Sequence, residues 1–159
     1  YARASQTFAE PEAFELRDVC EAVAHMVPGR PGIEVVWPEL ELSFRAPRVP
    51  LETVLRNLIS NAIKHHTGDR GRVEVRVRAA AGDAVFEVAD DGPGIAPEHH
   101  ERVFRMFQKL AANDESTSSG LGLSLVRRLV SLYGGGLALE SAEGKGSVFR
   151  FYWPIRVGR

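Results

Sequence analysis

Residues 71–92 read Gly71-Arg72-Val73-Glu74-Val75-Arg76-Val77-Arg78-Ala79-Ala80-Ala81-Gly82-Asp83-Ala84-Val85-Phe86-Glu87-Val88-Ala89-Asp90-Asp91-Gly92. Val73, Val75 and Val77 alternate with Glu74, Arg76 and Arg78, the two-residue period of a strand with one buried face. Ala81-Gly82-Asp83 turns the chain into a second run, Ala84 to Ala89, so the stretch predicts a hairpin. A similar pattern returns near the end, where Leu137 to Ser141 and Ser147 to Trp153 flank Glu143-Gly144-Lys145-Gly146. Two hairpin-like pairs argue against an all-parallel, doubly wound sheet. The expected fold is α/β (α+β), a two-layer sandwich with a mixed, mostly antiparallel sheet and helices on one face.

The helices come from the other period. Leu16, Val19, Cys20, Val23, Ala24 and Val27 recur at three and four, and Pro28, Gly29, Pro31 and Gly32 stop the pattern. Short strands are expected at Ile33 to Trp37 and Leu40 to Phe44. A longer helix, about Val49 to His66, carries Leu51, Val54, Leu55, Leu58, Ile59 and Ala62 as its apolar stripe. Pro97 opens a short helix, Gln108 to Ser119 is a polar segment, and a helix begins near Gly120 with Leu121, Leu125, Leu129 and Leu132 on its core face. Gly134-Gly135-Gly136 end it in the manner of a left-handed cap.

Composition excludes several classes. Of 159 residues 44% are hydrophobic and 26% charged, which is globular rather than disordered. Twenty Lys plus Arg against 21 Asp plus Glu supply no net field toward nucleic acid. One cysteine, Cys20, gives no intrachain disulfide and no paired zinc spacing, the usage of a reducing compartment. No apolar run approaches the ~20 residues of a membrane helix, so direct insertion by this segment is not expected. A chain that begins at Tyr1 reads as part of a longer protein. Residues 1–13 are expected to be a connecting remnant, and 14–159 the domain proper.

Three local patterns point to chemistry. Asn57, Asn61 and Lys64 lie within roughly 60° of one another on the long helix, away from its apolar stripe. An amide oxygen can ligate Mg²⁺ and an ammonium can neutralise phosphate, although the same face also reads as a solvated polar surface. Asp90 shares a strand side with Phe86 and Val88, so it is directed toward the core and needs donors there. Gly92 and Gly94 follow as they would where backbone approaches a ligand, or as an ordinary Asp-Gly-Pro-Gly turn that Asp90 caps. Gly120-Leu121-Gly122-Leu123 opens a helix after a polar loop, an arrangement suited to anions. Ser147 shares a strand face with Phe149, Phe151 and Trp153 and is expected beside Asp90, or else bonded only to backbone.

The order and spacing of these elements resemble the catalytic and ATP-binding domain of bacterial sensor histidine kinases, the Bergerat fold shared with gyrase-type topoisomerases, mismatch-repair ATPases and heat-shock chaperones. The resemblance covers Phe14 to Pro154. Asn57-Leu58-Ile59-Ser60-Asn61-Ala62-Ile63-Lys64-His65 is similar to the family's asparagine box, which implies Asn61 on Mg²⁺ and Lys64 on phosphate, with Asn57 beside them. Asp90-Asp91-Gly92-Pro93-Gly94 resembles the adenine box, so the resemblance implies that Asp90 meets the adenine amine, with Gly92, Gly94 and the adjoining Ile95 around the nucleotide. Phe104 and Phe107 are similar to the aromatic box, Gly120, Leu121, Gly122 and Leu123 to the second glycine box, and Gly144-Lys145-Gly146-Ser147 to a final element with Ser147 near the base. Lys109 is expected to reach phosphate from the lid at Gln108 to Ser119. Ser118 stands where the family commonly has another glycine, which affects lid geometry.

The resembling gyrase-like and chaperone-like ATPases place a glutamate four residues before the metal asparagine. Here that residue is Asn57, and an amide cannot act as a general base, which favours phosphoryl transfer over rapid hydrolysis. In the sensor kinases the acceptor is a histidine on a separate dimerisation domain. None of His25, His65, His66, His99 and His100 fits that role, so each is read as solvated or structural. The implied setting is cytoplasmic, with ATP and Mg²⁺ as cofactors, an upstream phosphoacceptor domain of the same protein and a response regulator as partners. Two alternatives stay open: a nucleotide-binding regulatory or pseudokinase module, and an anti-sigma-type serine kinase.

Overall fold

The structure is a computed structural model that describes residues 8–104 and 118–157. Its centre is the hairpin read above. Strand β4 (Gly71–Ala80) pairs antiparallel with β5 (Asp83–Asp90) from Val73↔Asp90 to Ala80↔Asp83. The two-residue connection works because Ala81 and Gly82 both adopt positive φ, 47° and 90°, the geometry whose twist matches that of the flanking strands. At the chain end β6 (Gly136–Ser141) pairs antiparallel with β7 (Ser147–Pro154), and β7 pairs antiparallel with β5. Strand β2 (Ile33–Val36) joins the outer edge of β4 in parallel, so the five-stranded sheet has the order β2-β4-β5-β7-β6.

Among the described residues, three long helices lie over this sheet: α1 (Leu16–Met26), α2 (Arg48–His65) and α3 (Ser118–Leu132). Helix α2 packs on α1, α3, β4 and β5, while α3 packs on β6 and β7. Leu51, Val54, Leu55, Leu58 and Ile59 of α2 are buried with Phe86 and Val88 of β5 and Phe149, Phe151 and Trp153 of β7. Each such side chain contributes about 1.5–3 kcal/mol on leaving water. The Phe86 and Phe151 rings stack at 5.0 Å across the β5–β7 pair. On the β4-β5-β7-β6 ladder, Glu87 faces both Arg76 and Arg150, and Arg150 also reaches Glu140. Helix α3 ends as expected of a glycine cap: Gly134 has φ +84°, and the Gly135 N–H returns to the Val130 carbonyl at 2.8 Å.

Two features of the N-terminal third differ from the pattern. Residues 11–13, expected as the end of the connecting remnant, are exposed but paired, because Pro11–Glu15 form β1, which pairs antiparallel with β3 (Ser43–Pro47) across the expected boundary at 13/14. Strand β3 also pairs with β8 (Arg156–Val157), making a second, three-stranded sheet that the pattern did not announce. Ahead of it, Phe8 packs edge-on to Tyr133 and the Ala9 N–H donates to the Tyr133 hydroxyl. The expected strand at Leu40 to Phe44 starts only at Ser43, since the Leu42 carbonyl is used by the Leu16 N–H at the start of α1. Cys20 is buried, and burial together with neighbouring Glu21 pushes its thiol pKa up to about 11. Among the described residues, no helix is long and apolar enough to cross a membrane.

Candidate functional site

The C-terminal half of α2, the end of β5 and the start of β7 converge on a cavity of about 280 Å³. Asn61, Asp90, Gly94, Ile95, Leu123 and Ser147 all line it, together with Ala62, His65, Pro93, Val103 and Phe149. Residues more than 80 positions apart meet there for a local reason. Asp90 is the last residue of β5 and Ser147 the first of β7, and they are directly opposed in the ladder. Asn61 lies on the stretch of α2 that packs over this end of the sheet, next to the buried Ala62.

Asp90 is half-buried, and one carboxylate oxygen accepts the Gly92 N–H at 2.9 Å. Desolvation pushes its pKa up and neighbouring Asp91 adds to the rise, against the smaller pull of that N–H, of His66 and of the Ser147 backbone. Ser147 is buried, and its hydroxyl lies 2.8 Å from that of Ser141. Ser141 also accepts the Ile95 N–H at 2.7 Å and donates to the Gly146 carbonyl at 2.8 Å. His65 stands at the cavity rim, where desolvation first and Lys64 second push its pKa down.

The amide oxygen of Asn61 is buried and has no hydrogen-bond partner among the described residues. Most buried polar atoms are paired, so an unpartnered oxygen at a cavity wall has free capacity for a ligand contact. A hard cation such as Mg²⁺ takes oxygen donors and keeps several from substrate phosphates or water, so a single amide oxygen fits its protein share of ligands.

Other expected site residues are placed differently. Asn57 does not line the cavity: its amide nitrogen donates to the Thr53 carbonyl at 2.7 Å, and its oxygen abuts Gly122. A Cβ on Gly122 would come within 2.7 Å of that oxygen, so Gly122 lets α3 close on α2 rather than opening space for a ligand. Lys64 is exposed and lies outside the lining. Gly94 does line the cavity, yet what requires glycine there is a φ of +77° and a Cβ position only 2.0 Å from the Ala142 carbonyl. Gly92 stands outside the lining, its Cβ position 3.0 Å from the Asp90 carboxylate.

Phe104 backs the cavity through Phe149, edge-on at 6.0 Å, and the Arg127 guanidinium sits 5.4 Å from the centre of its ring. Arg127 is also paired with Glu101 at 3.0 Å, so α3 is tied to the helical turn that carries Glu101 and Phe104. Gly120 and Leu121 belong to the first turn of α3. Phe107 and Lys109, with the greater part of the expected lid, lie outside the described residues. The sequence reading missed Ser141, Asp91 and the difference between the two adjacent histidines: His66 is buried while His65 reaches the rim. A serine in a strand and a histidine at a helix end carry no local signal of what they will touch.

Comparison with known proteins assigns the class. Residues 46–157 match the family model described as histidine kinase-, DNA gyrase B- and HSP90-like ATPase, and the chain belongs to that family. Within it, the chain is similar to sensor kinases. It is 38% identical over 120 residues to the methanogenesis regulatory histidine kinase FilI of Methanothrix harundinacea, across 74% of this chain and 13% of that protein. The mycobacterial sensor histidine kinase MprB superposes with a TM-score of 0.74 at 27% identity, covering 92% of this chain and 98% of that one. Full-length ShkA in complex with AMPPNP superposes with a TM-score of 0.79 at 28% identity, covering 96% of this chain and 32% of that one. The chain spans only 13% and 15% of the first two curated relatives it matches.

Proposed function

We propose that this chain is the ATP-binding catalytic domain of a sensor histidine kinase, which binds Mg²⁺-ATP and delivers its γ-phosphoryl group to a histidine on a separate dimerisation domain. The observation that carries the reading is one cavity with two unlike polar walls, the half-buried Asp90 carboxylate on one side and the unpartnered Asn61 amide oxygen on the other. A carboxylate in a mostly apolar recess accepts hydrogen bonds and donates none, which suits the exocyclic amine of adenine. Ile95, Val103, Leu123 and Phe149 supply the apolar surface that a purine ring needs. A cavity of about 280 Å³ takes a base rather than a whole nucleotide, so the polyphosphate extends past Asn61 toward the first turn of α3.

Asn61 would hold Mg²⁺, which when bound offsets charge on the phosphate oxygens. The first turn of α3 has backbone N–H groups without helical acceptors, and these favour an anion. Lys64, and Lys109 from the lid, are further cations proposed for the phosphates. Asn57 occupies the place of the hydrolytic glutamate in the related ATPases, and its amide is engaged by Thr53 and abuts Gly122. Water is therefore not activated from that position, and the γ-phosphoryl is kept for an acceptor. The similarity to sensor kinases supports an acceptor histidine on an upstream domain of the same protein and a response regulator downstream. It also supports a cytoplasmic position, where ATP is available.

The test is transfer in trans. The chain is mixed with the matching dimerisation domain and γ-labelled ATP; an acid-labile, base-stable label on that domain is the expected result, lost in Asp90→Asn and Asn61→Ala. No label on the acceptor from the unaltered chain, with AMPPNP bound, would favour a nucleotide-binding regulatory module instead.

A further inference from the structure

His66 closes the C-terminal end of α2 and is buried, with its side chain 5% exposed. Its two ring nitrogens have different partners. The Gly68 N–H donates to Nδ1 at 3.0 Å, and a backbone N–H can only donate, so Nδ1 is the bare nitrogen. The proton is then on Nε2, which donates to Asp91 Oδ1 at 2.7 Å. The same carboxylate oxygen accepts the Arg72 N–H at 2.9 Å. Room for the ring comes from Gly71, where a Cβ would lie 2.1 Å from Nε2. From behind, Arg30 donates to the carbonyls of Ile63, His66 and Gly68, so the end of α2 is held while the ring reaches forward.

Asp91 is the residue between Asp90, the proposed adenine acceptor, and Gly92, whose N–H orients the Asp90 carboxylate. We propose that His66 is a positioning residue for nucleotide binding: its Nε2–H···Asp91 bond ties the end of the Asn61-bearing helix to the Asp90–Gly92 turn and sets the spacing between the two polar walls. The inference rests on the adenine reading of Asp90. A hydrogen bond from a buried donor to a carboxylate is charge-assisted, and this one joins the end of α2 to that turn at 2.7 Å. Losing it frees the turn while leaving every group that touches nucleotide in place.

The experiment compares two amides. In His66→Asn the side-chain oxygen can still accept the Gly68 N–H, but no donor reaches Asp91. In His66→Gln the amide nitrogen extends to about the place of Nε2 and keeps the donor. AMPPNP affinity with Mg²⁺ is measured by calorimetry below the unfolding onset of each variant, whose thermal midpoints are recorded alongside. His66→Asn and Asp91→Ala are each expected to weaken AMPPNP about tenfold, and the double variant no more than the worse single one, because both remove one bond. His66→Gln is expected to stay within about threefold of the unaltered chain. Equal affinity of the Asn and Gln variants, or additive losses in the double variant, would overturn the proposal. Asp91→Ala keeps the test available if a His66 variant fails to fold, since that side chain is 61% exposed. Asp90→Asn separates the two levels: full affinity there removes the adenine reading itself, whereas lost affinity there with normal binding by His66→Asn removes only the tie.

Discussion

The hydroxyls of Ser141 and Ser147 lie 2.8 Å apart at the cavity end of the β6–β7 ladder, where the two residues are also register partners. Ser141 gives its single proton to the Gly146 carbonyl, so Ser147 is the donor between the two and neither of its own lone pairs is spent on this contact. The Ile95 N–H completes the set by donating to Ser141.

Ser141→Ala therefore removes a hub rather than one bond. Three groups lose a partner, and a loss of about 1–3 kcal/mol in urea denaturation is expected, together with weaker AMPPNP binding as Ser147 reorients. An unchanged denaturation midpoint would contradict the shared-proton arrangement.

Asp90→Asn should separate stability from binding. Desolvation holds the Asp90 pKa above its ordinary value, so the ionised form is a burden on the folded chain at pH 7 that is relieved as pH falls and the carboxyl protonates. The asparagine variant keeps an oxygen for the Gly92 N–H without the charge. It is expected to melt higher than the unaltered chain at pH 7, with the gap narrowing toward acid, while AMPPNP binding is lost. Thermal melts across pH, paired with calorimetry, check both halves.

Glu87 gives the opposite sign. Desolvation pushes its pKa up, but the hydrogen bonds from Arg150 and Arg76 outweigh this and leave it below the ordinary value. A depressed carboxylate stabilises the fold above the unfolded pKa of about 4.3 and loses that contribution as pH falls through the folded value. Glu87→Gln should thus lower the melting midpoint at pH 7 and converge with the unaltered chain only as pH falls past the depressed folded pKa.

Gly94→Ala tests the close approach at the cavity floor. A methyl group there meets the Ala142 carbonyl at 2.0 Å while the backbone keeps a φ of +77°. A loss of more than about 1 kcal/mol is expected from conformation alone, with the clash in addition. Gly82→Ala also has positive φ but nothing within 4 Å, so it isolates the conformational part, and the difference between the two variants in urea denaturation measures the contact.

Period and spacing were enough to find β4, β5, β6, β7 and the three helices, because each buries one face and a buried face writes its own repeat into the chain. They also singled out Asn61, Asp90 and Ser147, and the structure brings those three to one cavity. Asn57 shared a helix face with Asn61, yet only the packing of α3 decided that its oxygen abuts Gly122 instead of the cavity.

What the sequence determined by itself is therefore local: which faces are apolar, where the hairpins turn, and which polar residues stand against that pattern. Only the tertiary structure decided that β2 runs parallel to β4, that Pro11–Glu15 enters a second sheet with β3 and β8, and that His66 meets Asp91 across 25 positions. The physical reason is range. A repeat is set by neighbours three or four residues away, whereas a strand's partner and a histidine's proton are chosen by groups that become neighbours only after the chain has folded.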